Sequence, residues 1–180
     1  MGAAKVIASV LGVGSGEWVR PDSVKEATRM NRERFAEPGM RDAAKFLVEM
    51  ADARMMDTME GQVAGERGVN AEVRAYGQTM VKDQAALLTE IKALAAQKGI
   101  TLPDHISDSK AHGLEDLVGK SGDSVDSKFI SMITIDHKRD VGEFKDATKL
   151  SDPEVRGFAE RRLPMIEQHL AEIKGIHERQ

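Results

Sequence analysis

DSKFISMITIDHKRDVGEFKDATKLSDPEVRGFAERRLPMIEQHLAEI, residues 126–173, reads as two amphipathic helices joined at Leu150-Ser151-Asp152-Pro153. Apolar residues recur in steps of three and four, the spacing that puts them on one helix face. The first stripe is Asp126, Phe129/Ile130, Ile133, His137, Asp140/Val141, Phe144 and Thr148. The second is Val155, Phe158/Ala159, Arg162/Leu163, Ile166, His169/Leu170 and Ile173. Ser151 or Asp152 can cap the second helix, with Pro153 in its first turn and Glu154 at its positive end. Pro164 interrupts the second stripe and predicts a kink. One histidine lies on or beside each stripe.

Two further periodic helices precede this pair. From about Met40 to Arg67 the stripe runs Ala43, Leu47, Met50, Ala53/Arg54, Asp57, Glu60/Gly61 and Ala64. After the break Gly68-Val69-Asn70 it runs Val73, Tyr76/Gly77, Met80, Gln84, Leu87, Ile91 and Leu94, ending near Lys98-Gly99. Short breaks between long helices predict antiparallel neighbours. Residues 100–125 form the long connection, with a short helix from Ser107 or Asp108 that carries Leu114 and Leu117 inward. Residues 21–35 predict a short charged helix or irregular arm, and Pro38-Gly39 breaks the pattern after it.

The expectation is an all-α, ferritin-like antiparallel four-helix bundle with a short extra helix between the second and third long helices. Residues 1–37 would be an N-terminal arm and residues 38–180 the bundle domain. Composition agrees with this. Aromatic residues make up 4 %, so the core must be aliphatic, and the β-branched and aromatic runs of strands are scarce. Cysteine is absent, which excludes disulfides, thiolate catalysis and cysteine-held clusters. The formal net charge of -4 and the lack of a long basic run argue against nucleic acid as a partner. No apolar run reaches the roughly 20 residues of a membrane helix. Gly12, Gly14 and Gly16 read as a flexible leader, because no Gly-Lys-Ser/Thr follows as in a phosphate loop. Lys5 before Val6-Ile7-Ala8-Ser9-Val10-Leu11 faintly resembles the end of a secretory signal, but its charged region is meagre and its apolar run short, which favours a flexible or membrane-proximal N-terminus. Trp18 reads as a cap on the core, with contact to a partner as the alternative.

Three stripes carry a polar residue at mid-helix, namely Asp57, Gln84 and His137, and His169 lies at the edge of the fourth. In an up-down bundle these levels meet. Burying such groups unpaired costs several kcal/mol each, roughly. Either they form a hydrogen-bonded polar layer, or imidazoles and carboxylates hold a metal. Fe, Zn, Cu and Mn all suit that donor set. The residues to hold it are Asp57, Asp83, His137, Glu167 and His169, with Glu60, Asp136 and Glu172 close by. The paired Glu-x-x-His motif of di-iron bundles is missing. No serine or threonine is placed to be activated by His137, so no catalytic residue is assigned. The ten methionines read as core filling rather than copper(I) ligands.

Several segments resemble the DUF4142 family of bacterial proteins. They are Gly61-Gln62-Val63-Ala64, Asn70 to Gln84, Leu94 to Pro103, Asp136-His137, Asp152 to Ala159 and Leu163 to Leu170. The resemblance spans about Ala44 to Ile173 and implies a four-helix, ferritin-like fold with an excursion between the second and third helices. It implies the bacterial envelope or periplasm as location. The cytoplasm is the alternative, given the weak signal-like start. The family pattern has Asp-His where this chain has Asp83-Gln84, and often Glu near Asp57. The histidines match at His137 and His169. The function expected is therefore a non-enzymatic structural, stress or envelope-related role. The alternatives are a metal-binding protein with redox or storage activity, and a helical interaction module. Self-association through the helical surface or the N-terminal arm is the partner expectation.

Overall fold

The structure, a computed structural model, describes residues 21–180. The glycine-rich leader, the signal-like run and Trp18 lie outside the described residues. Those described form six α-helices and no strand. They are α1 (Ser23–Arg34), α2 (Pro38–Arg67), α3 (Ala71–Lys98), α4 (Asp108–Val118), α5 (Asp123–Ala147) and α6 (Pro153–Glu178). No described helix is long and apolar enough to cross a membrane.

Local signals set most helix ends. The Asp152 side chain accepts from Val155 N at 2.9 Å, with Pro153 in the first turn of α6. Asn70 caps α3 through Glu72 N. Gly99 ends α3 at φ 67°, a left-handed position that favours glycine, and Ile100 N bonds back to Ala95 O. Two expectations shift. Pro38-Gly39 is the first turn of α2 rather than a break before it, because a proline at the first position gives up an N–H that has no helical partner anyway. Pro164 does not interrupt α6, which stays helical to Glu178. The carbonyl that Pro164 leaves unbonded belongs to Glu160, and both residues are exposed, so water can take its place.

The helices pair in opposite directions within each hairpin. On α2 and α3, a Cβ added at Gly77 would lie 2.6 Å from Gly61 O and 2.7 Å from Gly65 N, so the two backbones nearly touch. On α5 and α6, Phe144 faces Phe158 and His137 faces His169, with ring centroids 6.0 and 5.8 Å apart. Phe46 of α2 meets Phe144 edge-on at 5.3 Å. Lys98 reaches Asp152 at 2.7 Å, and Glu72 meets Arg179 at 2.8 Å at the other end of α3 and α6. Each of these four pairs is antiparallel, which makes α3 and α5 run the same way. A strict up-down order is thus replaced by up-down-down-up.

The connection 99–122 makes this order necessary. It leaves α3 beside α1 and must deliver α5 to the far end, where Asp126 accepts from Val69 N at 3.0 Å and Asn70 N at 2.7 Å. Ser107 is held midway by Asp52 of α2 through its N–H and hydroxyl, at 2.8 and 2.9 Å. Arg67 at the end of α2 donates to Val118 O at 2.8 Å and to Lys120 O. The helix α4 therefore lies along the second half of α2 and against α5. The arm helix α1 is tied to the start of the same connection. Asn31 donates to Thr101 O and accepts from Thr101 N, both at 2.8 Å, and Asp104 N donates to the Ser23 hydroxyl.

The core is two apolar clusters with a polar layer between them. One gathers Phe46, Leu47, Met50, Leu87, Ile91, Phe144, Phe158 and Ile166. The other gathers Met56, Val73, Tyr76, Met80, Leu117, Phe129, Ile133 and Ile173. Met50, Met56 and Met80 fill these clusters, as expected of core methionines. Buried polar residues occupy the middle of the long helices between these clusters.

Candidate metal centre

On α2, Arg54, Asp57 and Glu60 stand three residues apart and so share one face. All three are buried, at 0, 1 and 0 % exposure. On α5, His137 and Asp140 share a face in the same way and are both 0 % exposed. On α3 and α6, Gln84 and His169 complete the layer, at 0 and 3 %.

Arg54 reaches across to α5. One of its terminal nitrogens contacts the Asp140 carboxylate and lies 3.1 Å from Asp57. Burial works against its charge, but Asp140 and Asp57 hold its pKa above the ordinary arginine value. Much of the rest lacks a partner. Neither oxygen of Glu60, neither nitrogen of His137 and not Oδ1 of Asp140 has a hydrogen bond. Three central carboxylates, Asp57, Glu60 and Asp140, face one guanidinium, which leaves a net charge of −2 if all are ionised. Burial pushes Asp57 up to about 7, opposed by Arg54, and pushes Glu60 well above the carboxylate range, reinforced by Asp57. Burial pulls His137 down to about 3, aided by Arg54, so the ring is neutral at pH 7.

His169 is arranged differently. Its Nε2 lies 3.0 Å from Asp83 Oδ2, and its Nδ1 lies 3.4 Å from the Gln84 side-chain nitrogen. A carboxylate can only accept here, so Nε2 carries the proton and Nδ1 accepts from the amide. Burial lowers its pKa against the pull of Asp83. Tyr76 donates to the His169 carbonyl at 2.9 Å. Both ring nitrogens of His169 are thus engaged.

Two sets of atoms could hold a cation, each with its ligand atoms within 4.8 Å of one another. One is Asp57, His137 and Asp140; the other is Asp57, Glu60 and Asp136. Of the five residues expected from sequence, the fold brings Asp57 together with His137, and Asp83 together with His169. Glu167 joins neither. It points outward, 3.4 Å from Lys145, and is about half exposed. Its place in the helix explains this, since two residues before His169 is nearly the opposite face. On the stripes Asp140 stands beside Val141 and Arg54 beside Ala53, so an apolar neighbour masks each polar residue. The signal was their spacing of three from His137 and Asp57.

A family model described as "Domain of unknown function (DUF4142)" matches residues 29–176. Among solved structures, the chain is similar to one titled "Crystal structure of DUF305 fragment from Deinococcus radiodurans". The two are 14 % identical, with a TM-score of 0.59 over 89 % of this chain and 98 % of that one, a likeness of fold. No curated protein matches the sequence.

Proposed function

The chain belongs to the DUF4142 family, and from that premise we propose that it is a non-enzymatic, ferritin-like four-helix bundle that holds a divalent metal ion at its centre. The observation that carries this reading is the unbalanced charge of the polar layer. Asp57, Glu60 and Asp140 set against Arg54 alone carry two excess negative charges when ionised; without an ion, protons held by Asp57 and Glu60 offset them, and one divalent ion can take the place of those protons. Both oxygens of Glu60 are buried and unbonded, and carboxylate oxygens are of the kind that bind such ions. Buried polar groups are almost always bonded, so an accumulation of free donors at one level points to a missing partner.

The donors fit a metal better than they fit catalysis. Nucleophile, base and substrate would need an open cleft, and the layer lies between two apolar clusters. The reading of α1 as a free interaction arm is less supported, because Ser23, Asn31 and Arg34 are engaged by residues 99–104. Elemental analysis of untagged protein, purified without chelators, tests the proposal. About one divalent metal per chain is expected. No bound metal, with no thermal shift on adding manganese, iron, zinc or copper, refutes it.

A further inference from the structure

The two candidate positions share Asp57, and they differ in what already occupies them. We infer that Arg54 permanently fills the Asp57–His137–Asp140 position as a built-in cation, and that the ion binds at Asp57, Glu60 and Asp136 as a single hard divalent cation held by oxygens. This rests on the metal-binding reading above and specifies its site and its class of ion.

The guanidinium contacts both carboxylates of the first position. It cannot lose its proton. A metal placed between Asp57, His137 and Asp140 would sit against that fixed charge in a dry interior, where repulsion is strong. In the second position no single guanidinium lies between the carboxylates: Arg54 is 3.1 Å from the shared Asp57 and Arg139 2.7 Å from Asp136 at the edge, while Glu60 meets neither. Glu60 is 0 % exposed and neither of its oxygens is bonded. Asp136 donates one oxygen to the site's edge. It is partly exposed, and its Oδ1 accepts from Arg139 at 2.7 Å. It is the least buried member of the set. The short helix α4 lies over this side: a Cβ at Gly113 would meet Met132 at 3.4 Å and Met56 at 3.7 Å. Lys110 of α4 is partly buried and its field reaches Glu60, yet it forms no ion pair with it among the described residues.

Donor chemistry then selects the ion. Carboxylate oxygens suit Mg²⁺, Ca²⁺ and Mn²⁺, whereas imidazole favours zinc, copper and iron. His137 belongs to the arginine's position, so it does not ligate.

Calorimetric titration of chelator-stripped protein with Mn²⁺ and with Zn²⁺ tests this, on the wild type and on Glu60→Gln, His137→Gln and Arg54→Gln, each checked for helicity. The expectation is one Mn²⁺ per chain. Glu60→Gln should weaken Mn²⁺ by more than about 100-fold, and His137→Gln by less than about threefold. Arg54→Gln should admit a second ion and raise the affinity for Zn²⁺. If the wild type binds and His137→Gln abolishes binding while Glu60→Gln does not, this assignment is overturned and the metal reading stands. A wild type that binds neither ion overturns both. If Arg54→Gln fails to fold, the Glu60 and His137 pair still decides.

Discussion

A carboxylate taken out of water without a hydrogen-bond donor either keeps a proton or keeps a cation. Glu60 and Asp57 face that choice, and their response to pH follows from it. With metal removed, both hold protons in the folded chain at pH values where the unfolded chain has released them. Their contribution to stability is therefore present at low pH and is lost as pH rises through the folded values, about 7 for Asp57. His137 and His169 act in the opposite sense, but only below their unfolded value of 6.5. Above it the carboxylates decide. Chelator-treated protein should lose stability as pH rises from about 6.5 through the folded value of about 7 for Asp57, and go on losing it until Glu60 releases its proton, in urea titrations. Saturating Mn²⁺ should flatten that decline, since the ion already keeps the carboxylates ionised. Stability that is level or rising in the metal-free protein contradicts this account of the layer. At this scale the sequence was partly legible. A polar residue on an apolar stripe flagged Asp57, Gln84 and His137 without any structure. That Arg54 would meet Asp140 was not legible, because the partners stand 86 residues apart and only packing joins them.

Elements depend on contacts that are either local or remote, and the two kinds differ in how far a sequence reveals them. The caps at Asn70 and Asp152 and the glycine stop at Gly99 are local, and all three were readable. The close crossing of α2 on α3 is not, since it needs Gly61 and Gly77 to face each other. Gly77→Ala should force these helices apart, because its Cβ would meet backbone rather than a movable side chain. A loss of about 2–3 kcal/mol is expected from denaturant unfolding. A neutral change would mean that the helices pack less closely than described. The docking of α1 is remote in the same way. Asn31→Ala should leave Thr101 N–H and C=O without their partner and cost about 2 kcal/mol, while metal binding is unchanged. Stability within a few tenths of a kcal/mol of the wild type would show that α1 is not anchored there.

For the whole molecule, the all-helical class and the four long helices could be read from periodicity, but their directions could not. Nothing in the stripes says whether residues 99–122 turn back at once or travel the length of the helices. The bonds of Ser107 to Asp52 and of Arg67 to Val118 and Lys120 fix the second course. In either arrangement the middles of the long helices coincide, which is why the polar level was foreseeable. An ion at that level joins α2 to α5 between the two apolar clusters, so it should stabilise the fold as a unit. At a free Mn²⁺ concentration of about 100 times Kd, unfolding should be disfavoured by about 2.7 kcal/mol more. A single transition with a raised Tm is the expected trace, and a Tm that does not respond to Mn²⁺ contradicts it.

The most direct measurement is an anomalous difference map from crystals grown with Mn²⁺. The account predicts one peak per chain, within about 2.0–2.6 Å of oxygens of Asp57, Glu60 and Asp136, with the Arg54 guanidinium still between Asp57 and Asp140. A peak bonded to His137, or no peak in the polar layer, would contradict it.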